Sequence, residues 1–413
     1  MELCIRGGRI LKGSGTLRAD ILVKDGVIED IRKEIKHENS LDASGCFVIP
    51  GFYNSHTHVG MSILRGYAEG LDLHQWLTTK IWPAERKLTE EDVYWASLVS
   101  IAEMLHSGTV FFADMYFHTD SIAKAVLKSG IRASLGHHIV DANKKTEMGK
   151  AQMLLKKYRS SSQVFPAVAP HATYSCSKET FLECKFLSSQ YGAKLFTHVS
   201  ETRREVYELW RKERKRPIEY LHSLGILDSS LLMAHASWAS MREIRMAGSA
   251  GSGIAHCPTS NLKLATGGIC PAKKYIESGA KLMLGTDGPS SNNSQDIRQE
   301  IKLASLLQNH YFWKANSLLP EEALSSVTST PASFFNTNGG SIEKGRYAEL
   351  LVVPHTASLS ALHSLTTSLV YSSYTVRDVV IGSKLVMENH KIITFSEQRA
   401  IEENEKRARR VAK

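Results

Sequence analysis

The feature that most constrains the fold of this 413-residue chain is an apolar run that ends in histidine or aspartate and occurs eight times. Amphipathic stretches lie between most of the runs, and the stretch 89–106 begins with Thr89, a plausible helix N-cap, followed by three acidic residues. Eight strands alternating with helices predict an α/β fold with a parallel (β/α)8 barrel of the TIM type. The runs are 47–58, 110–114, 131–138, 164–171, 194–198, 231–235, 253–256 and 282–287.

Short β-rich segments flank the repeated region at both ends of the chain. Residues 1–49 contain short apolar runs, and Asp25-Gly26 between two of them is a strong hairpin signal. A similar pattern returns at 350–353 and 376–387. We therefore expect residues 1–49 and 342–413 to form one small β-sandwich domain, with the larger barrel domain, 50–341, inserted between them.

The first run ends on two histidines separated by one residue, His56 and His58. Alternate residues of a strand face the same side, so both imidazoles can bind one divalent ion. His198 ends the fifth run and Asp287 ends the eighth. Taken alone, a histidine in this place is more often a hydrogen-bonded core residue, and the aspartate is more often a helix cap or turn residue. Because the strands of such a barrel present their carboxyl ends to one active site, the four together predict a metal site.

The composition narrows the class of protein. Hydrophobic residues at 42% and charged residues at 23% are ordinary for a soluble globular protein, and no apolar run approaches the length of a membrane span. The six cysteines form no CxxC pair, which favours reduced thiols in a cytoplasmic protein. Much of the net charge of +9 lies in 203–216 and 406–413, which we interpret as a solvated helix face and a frayed terminus rather than a nucleic-acid surface.

Five motifs follow one another along the chain: His56-Thr57-His58, His198-x-x-Glu201, Ala234-His235-Ala236, His256-Cys257-Pro258-Thr259-Ser260-Asn261 and Gly285-Thr286-Asp287-Gly288. Their order resembles the amidohydrolase superfamily. Within it, the chain is similar to the methylthioadenosine/S-adenosylhomocysteine deaminase group and the related triazine chlorohydrolases, over nearly its whole length. This resemblance implies a metal-dependent hydrolytic deaminase that converts an adenosine-type nucleoside to its inosine analogue and ammonia.

The resemblance also implies a role for each residue of the site. One divalent metal ion, most readily zinc with iron as the alternative, would bind the four candidate ligands and lower the pKa of a bound water to about 7. Glu201 would protonate the heterocycle, His235 would orient the attacking hydroxide, and Asp287 would pass its proton to the leaving amine. Chlorohydrolases of the group often replace this glutamate, so its presence favours deamination. The fourth run contains no lysine to bridge a second ion, which favours a single metal.

A substrate-binding wall is expected in the stretch that runs from Trp76 to Glu85. A carboxylate there can accept two hydrogen bonds from a ribose diol, and the resemblance implies this role for Glu85 and a sugar contact for His171. Relatives that process S-adenosylhomocysteine have arginines after the third strand, where His137 stands here. An imidazole binds a carboxylate less firmly than a guanidinium does. We therefore expect 5′-deoxyadenosine, methylthioadenosine or adenosine to be preferred over S-adenosylhomocysteine.

The sequence leaves two other functions to be weighed. One is a deaminase or chlorohydrolase of another heterocycle, such as guanine, a pterin or a triazine, and Glu85 argues against it because a free base offers no diol. The other is a non-catalytic metal-binding barrel, which would need neither Glu201 nor His235. We expect a small-molecule nucleoside and further copies of the chain, in a dimer or tetramer, to be the partners, with no nucleic acid and no membrane.

Overall fold

The computed structural model describes residues 1–13, 15–360 and 363–412. In these ranges the strands form three sheets of four, eight and seven strands. In chain order the strands are β1 Glu2–Arg6, β2 Arg9–Lys12, β3 Gly15–Arg18, β4 Asp20–Lys24, β5 Val27–Arg32, β6 Ser40–Asp42, β7 Cys46–Pro50, β8 Phe52–Thr57, β9 Thr109–Tyr116, β10 Arg132–Ile139, β11 Val164–Pro170, β12 Leu195–Val199, β13 Leu231–His235, β14 Gly253–His256, β15 Lys281–Leu284, β16 Glu349–Pro354, β17 Asp378–Ile381, β18 Lys384–Glu388 and β19 Lys391–Ile392.

The helices begin with a three-segment stretch over the barrel mouth and then follow the strands. They are α1 Leu73–Gln75, α2 Trp82–Glu85, α3 Glu90–Ser107, α4 Thr119–Ser129, α5 Lys144–Tyr158, α6 Lys178–Tyr191, α7 Arg203–Glu213, α8 Pro217–Ser223, α9 Met241–Ser249, α10 Pro258–Lys263, α11 Ala272–Ser278, α12 Ile297–Tyr311, α13 Pro320–Ser325, α14 Ser329–Phe335, α15 Leu365–Tyr371 and α16 Glu397–Val411. A π-helical stretch, Trp76–Ile81, joins α1 to α2. The predicted N-cap of α3 is confirmed, because Thr89 and Asp92 form a reciprocal capping box.

The eight-stranded sheet is a parallel barrel built from β8 to β15 in sequence order. A bridge between Thr57 and Asp287 joins the last strand to the first. The close approach of these two chain segments depends on Gly285, because a Cβ at that position would lie 2.7 Å from the backbone nitrogen of His56. The predicted α/β fold class, a TIM-type barrel with a small β-sandwich, is confirmed.

The first predicted run, 47–58, is divided between two sheets. Cys46–Pro50 is β7 of the seven-stranded sheet, where it pairs with β16, and the barrel begins only at β8. Both strands are almost entirely buried, and apolar residues continue from β7 into Phe52 and Tyr53 at the start of β8, so the run shows no change of sheet. Hydrophobicity alone therefore could not separate them.

Both ends of the chain contribute to the sandwich, and the predicted Asp25-Gly26 turn joins β4 to β5. Side chains alternate along β7 and β16. Val48 and Leu350 accordingly pack in the core shared with the four-stranded sheet, whereas Ile49 and Leu351 pack in the core shared with the barrel. The seven-stranded sheet is thus the layer that attaches the sandwich to the barrel.

A buried ion pair strengthens that attachment. Arg132 Nη1 on β10 lies 2.7 Å from Glu349 Oε1 on β16, and the two side chains are 5% and 0% exposed. The Tyr53 hydroxyl of β8 also donates to Glu349, and the Arg132 guanidinium lies 4.1 Å from the centre of the Tyr347 ring. Barrel strands and sandwich strands therefore share one polar network.

The C-terminal segment departs from the sequence prediction. The residues expected to form a frayed basic terminus belong to α16, which packs on α3 of the barrel. Arg407 and Arg410 form ion pairs with Asp92 in the first turn of α3. The end of the predicted small domain, 342–413, thus lies against the barrel, and Lys413 lies outside the described residues. Among the helices that are described, none is both long and apolar enough to cross a membrane.

Candidate active site

The four candidate metal ligands meet at the carboxyl ends of the barrel strands. His58 Nε2 lies 3.2 Å from Asp287 Oδ1 and 3.4 Å from His198 Nε2. His56 Nε2 lies 3.5 Å from the same Asp287 oxygen. Three nitrogens and one oxygen therefore face a common centre. They come from β8, the turn after β8, β12 and the turn after β15.

Backbone carbonyls fix the orientation of the His58 and His198 rings through Nδ1, the ring nitrogen that faces away from the centre. His58 Nδ1 lies 2.5 Å from the Met115 carbonyl, and His198 Nδ1 lies 2.9 Å from the His171 carbonyl. A carbonyl only accepts, so each Nδ1 donates its hydrogen and each Nε2 keeps a lone pair for the centre. Backbone carbonyls orient metal-binding histidines in this way.

The donor set fits a divalent metal ion. His56 Nε2 is buried and has no hydrogen-bond partner, which is costly unless another ligand binds it. Burial lowers the pKa of His56 and holds the pKa of His198 well below its usual value, so both rings are neutral. Burial also lowers the pKa of His58, but its hydrogen bond to Asp287 raises that pKa to about 9 overall. A metal ion therefore has to displace a proton from His58.

Two serines determine which oxygen of Asp287 faces the histidines. Ser260 Oγ donates to Asp287 Oδ2 at 2.6 Å, and Ser291 Oγ donates to the same atom at 2.9 Å. The other oxygen, Oδ1, is left for the centre. Burial by itself raises the pKa of Asp287, but the adjacent rings of His56 and His58 hold that pKa well below its usual value.

Glu201 and His235 lie next to this centre. His235 Nε2 is 3.7 Å from Glu201 Oε1. Burial, with smaller contributions from the charges of Asp287 and Glu205, raises the pKa of Glu201 well above its usual value. The raised pKa favours the protonated carboxyl, which is the form that donates a proton. Burial lowers the pKa of His235 to about 3, which keeps that ring neutral.

The backbone at these positions is strained. Ser200, His235, Ala236 and Asp287 all have left-handed φ angles, of 51°, 67°, 49° and 62°. Each such residue costs of order 1–3 kcal/mol, and such strain clusters at functional sites. The turns redirect the chain where the strands end, and the side chains of His235 and Asp287 point into the mouth of the barrel.

A cavity of about 670 Å³, including its open mouth, lies above the centre. Among the predicted substrate contacts, Trp76, Glu85, His171 and Glu201 line it. Burial raises the pKa of Glu85 to about 7, and the Tyr116 hydroxyl donates to Glu85 Oε1 at 2.8 Å. The remaining lining residues are His58, Met61, Leu73, Leu77, Trp82, Met115, Tyr116, Phe117, His138, Tyr174, His198, His235, Leu264, Asp287 and Ser291.

His137 does not line this cavity. The prediction that it contacts the substrate is therefore wrong. Its ring is buried on the other side of β10, where Nδ1 lies 2.7 Å from Thr119 Oγ1 and Nε2 lies 2.6 Å from Glu147 Oε2. Adjacent residues of a strand point to opposite faces. His138 faces the cavity instead, and burial lowers its pKa to about 3.

The sequence analysis assigned no role to two residues that support the site, Asp114 and Tyr116. Asp114 Oδ1 accepts from Thr57 Oγ1 at 2.8 Å and from Val59 N at 2.7 Å, so it holds the chain on both sides of His58. Asp114 ends the second run, a position that pointed to this edge of the barrel. Tyr116, which binds Glu85, lies two residues further on and carried no signal that distinguished it from a core aromatic.

The chain matches the model of the amidohydrolase family over residues 47–386. It is 37% identical to the 5-methylthioadenosine/S-adenosylhomocysteine deaminase of Pyrococcus abyssi, over 97% of both chains. It is 36% identical to the 5′-deoxyadenosine deaminase of Methanosphaera stadtmanae, over 93% of both chains. The crystal structure of an adenosine deaminase from Xanthomonas campestris with bound zinc is similar at a TM-score of 0.95 and 28% identity, covering 99% of this chain and 98% of that one.

Proposed function

We infer, from the fact that this chain belongs to the amidohydrolase family, that it is a metal-dependent hydrolytic deaminase of adenosine-type nucleosides. The resemblance recognised in its motifs is confirmed by the family match. The observation that carries the inference is Glu201, a buried carboxyl group that lies beside the histidine cluster and lines the cavity. A metal site that served only structure would not need it.

Each side chain has a defined task in this reaction. A divalent ion bound by His56, His58, His198 and Asp287 supplies water of lowered pKa as the nucleophile at neutral pH. Glu201 gives its proton to the ring nitrogen next to the carbon that carries the amine. This proton transfer makes that carbon easier to attack.

His235 and Asp287 complete the exchange. His235 donates a hydrogen bond to the oxygen that adds to the ring. Asp287 accepts a proton from the attacking water and transfers it to the amine, which leaves as ammonia. The proton of the added hydroxyl returns to Glu201 as the carbonyl forms. One water is therefore consumed, the amine of the nucleoside is replaced by a carbonyl oxygen, and the acid is regenerated.

The wall of the cavity favours a nucleoside over a free base. Glu85 accepts from Tyr116 through Oε1, and a ribose diol can donate to its carboxylate. His171 faces the same space, with its Nδ1 tied to Ser175 Oγ at 2.7 Å. Free guanine, a pterin or a triazine offers no diol, so these substrates would leave Glu85 without partners for its second oxygen.

The same cavity favours a compact, uncharged 5′ group. Among the described residues, those that line the cavity include neither lysine nor arginine. His138, which takes the place we expected for His137, is neutral because burial lowers its pKa to about 3. The carboxylate of S-adenosylhomocysteine would therefore lose its hydration without gaining a cation. We place 5′-deoxyadenosine, methylthioadenosine and adenosine ahead of it.

The metal is proposed to be zinc, with iron as the alternative, since three imidazoles and one carboxylate suit either ion. A cytoplasmic location is supported by six buried, unpaired cysteines. A dimer or tetramer, and the division into 1–49 plus 342–413 and 50–341, stay predictions.

The direct test is a substrate panel scored for ammonia release by zinc-loaded enzyme. The panel contains 5′-deoxyadenosine, methylthioadenosine, adenosine, S-adenosylhomocysteine, guanine and a triazine. Turnover of the nucleosides with little of the free base is expected. Turnover of guanine or the triazine above every nucleoside would overturn the substrate assignment, and a tightly bound metal without any turnover would favour the non-catalytic barrel.

A further inference from the structure

Distances alone do not separate two roles for His235, that of a metal ligand and that of a hydrogen-bond donor. Its ring forms one candidate metal-binding group with His56 and Asp287, and His56, His58 and His198 form another. The His235 ring centre lies 5.6 Å from that of His56 and 5.5 Å from that of His198. His235 therefore lies close enough to be either a ligand or a hydrogen-bond donor.

The atoms behind the ring separate these two roles. His58 and His198 each turn Nδ1 toward a backbone carbonyl, which leaves the lone pair of Nε2 free. His235 Nδ1 instead lies 3.1 Å from the amide nitrogen of Asn261, Nδ2. An amide nitrogen only donates, so His235 Nδ1 must accept and the ring hydrogen must sit on Nε2. A nitrogen that carries hydrogen has no lone pair for a metal.

The second contact of the Asn261 amide fits this orientation. Ser237 Oγ donates to Asn261 Oδ1 at 3.3 Å, so both ends of the amide have a hydrogen-bond partner when its nitrogen faces His235. Both Asn261 and His235 are buried, at 5% and 1% exposure. Water therefore does not compete for these groups, and the amide is a fixed donor behind the ring.

We propose that Asn261 is a positioning residue that keeps His235 in the tautomer with hydrogen on Nε2, so that His235 donates a hydrogen bond to the reacting oxygen and does not bind the metal. The consequence for catalysis rests on the proposed deaminase function, whereas the tautomer does not. The oxygen added to the ring becomes more negative as the reaction proceeds, and a donor already in place stabilises that charge. Asn261 itself touches neither substrate nor metal in this scheme.

The tautomer can be measured directly by NMR of zinc-loaded protein labelled with ¹⁵N-histidine. The His235 signals are assigned by their loss in His235→Gln. We expect an unprotonated Nδ1 and a protonated Nε2 in the unsubstituted protein. We also expect His235→Gln to keep its zinc, whereas His198→Gln loses it. A proton on Nδ1, or loss of zinc from His235→Gln, would overturn the proposal, and neither reading requires an active enzyme.

The variant Asn261→Asp tests Asn261 as the cause. A carboxylate of the same shape only accepts, so it requires hydrogen on Nδ1 of His235. We expect the ring to change tautomer or become doubly protonated, and kcat to fall about 10²–10³-fold, the cost of losing one such donor, with KM unchanged. The matched control is Asn404→Asp, a buried asparagine on α16, which should leave the His235 signals and kcat unchanged.

These experiments distinguish a failure of the Asn261 assignment from a failure of the proposed deaminase function. Asn261→Asp with an unchanged His235 tautomer would show that Asn261 does not set it. Should that variant fail to fold, Asn261→Ala gives the same test, since without the amide donor His235 should populate both tautomers. An unsubstituted protein that shows the expected tautomer but deaminates no nucleoside would refute the proposed function and leave the Asn261 assignment intact.

Discussion

Replacing Glu201 with glutamine changes one proton and almost nothing else. The two side chains have the same shape, and His235 Nε2 lies 3.7 Å from Glu201 Oε1, so no hydrogen bond between them is broken. The backbone N–H of Glu201 donates to Glu205 Oε2 at 2.9 Å, a bond that the substitution does not touch. Folding and metal binding should therefore be unaffected in Glu201→Gln.

The expected loss of activity follows from the protonation state. Burial raises the pKa of Glu201, which favours the protonated acid that the reaction needs. Glutamine can donate a hydrogen bond to the ring nitrogen but cannot transfer a proton. A positioned acid contributes about 10²–10⁴-fold, which is about 2.7–5.4 kcal/mol of barrier at 1.36 kcal/mol for each factor of ten.

The assay is kcat for ammonia release from methylthioadenosine, together with zinc content and thermal unfolding. Glu208→Gln, an exposed position on α7, is the matched control and should behave as the unsubstituted enzyme. In the unsubstituted enzyme, kcat/KM should also fall as the pH rises through the raised pKa of Glu201, because the acid is then lost. Glu201→Gln should lack that decline.

Two results would refute this reasoning. If Glu201→Gln retained activity within a factor of about ten of the original, below the range for a positioned acid, Glu201 would not be the proton donor. If it lost its zinc while staying folded, Glu201 would be a metal ligand, and the division of roles drawn from the geometry would be wrong.

Four further predictions test other parts of the molecule. Glu85→Ala should raise KM for nucleosides far more than for any free base, because only the ribose donates to this carboxylate; equal effects on both would contradict the ribose contact. His138→Arg should raise kcat/KM for S-adenosylhomocysteine relative to methylthioadenosine by supplying the missing cation, and an unchanged ratio would show that the 5′ group lies elsewhere. Glu349→Ala leaves Arg132 buried and unpaired, so denaturant unfolding should show a loss of about 3–5 kcal/mol; a loss below about 1 kcal/mol would mean that the pair is hydrated. Removal of the metal by a chelator should abolish ammonia release while the fold persists, and zinc should restore it; activity that survives complete metal removal would refute a metal-dependent mechanism.

The residues that the sequence failed to assign share one property. Their roles depend on which residues their side chains contact in the folded protein, and not on their positions in the sequence. Asn261 was visible as the last residue of the 256–261 motif, and Asp114 as the end of a strand, but nothing in the sequence showed which group each would contact. Arg407 and Arg410 looked like a solvated tail because their partner, Asp92, is more than 300 residues away.

The sequence by itself predicted the barrel and brought out the candidate ligands. Eight apolar runs that end in polar residues fit a parallel barrel, and the spacing of His56 and His58 places both rings on one face because a strand repeats every two residues. That same period shows that His137 and His138 face opposite ways, but not which one faces inward. Only packing decided that, by burying His137 against Glu147. The tautomers were decided in the same way, since a ring hydrogen goes to whichever nitrogen meets an acceptor, and those partners come from other strands and turns.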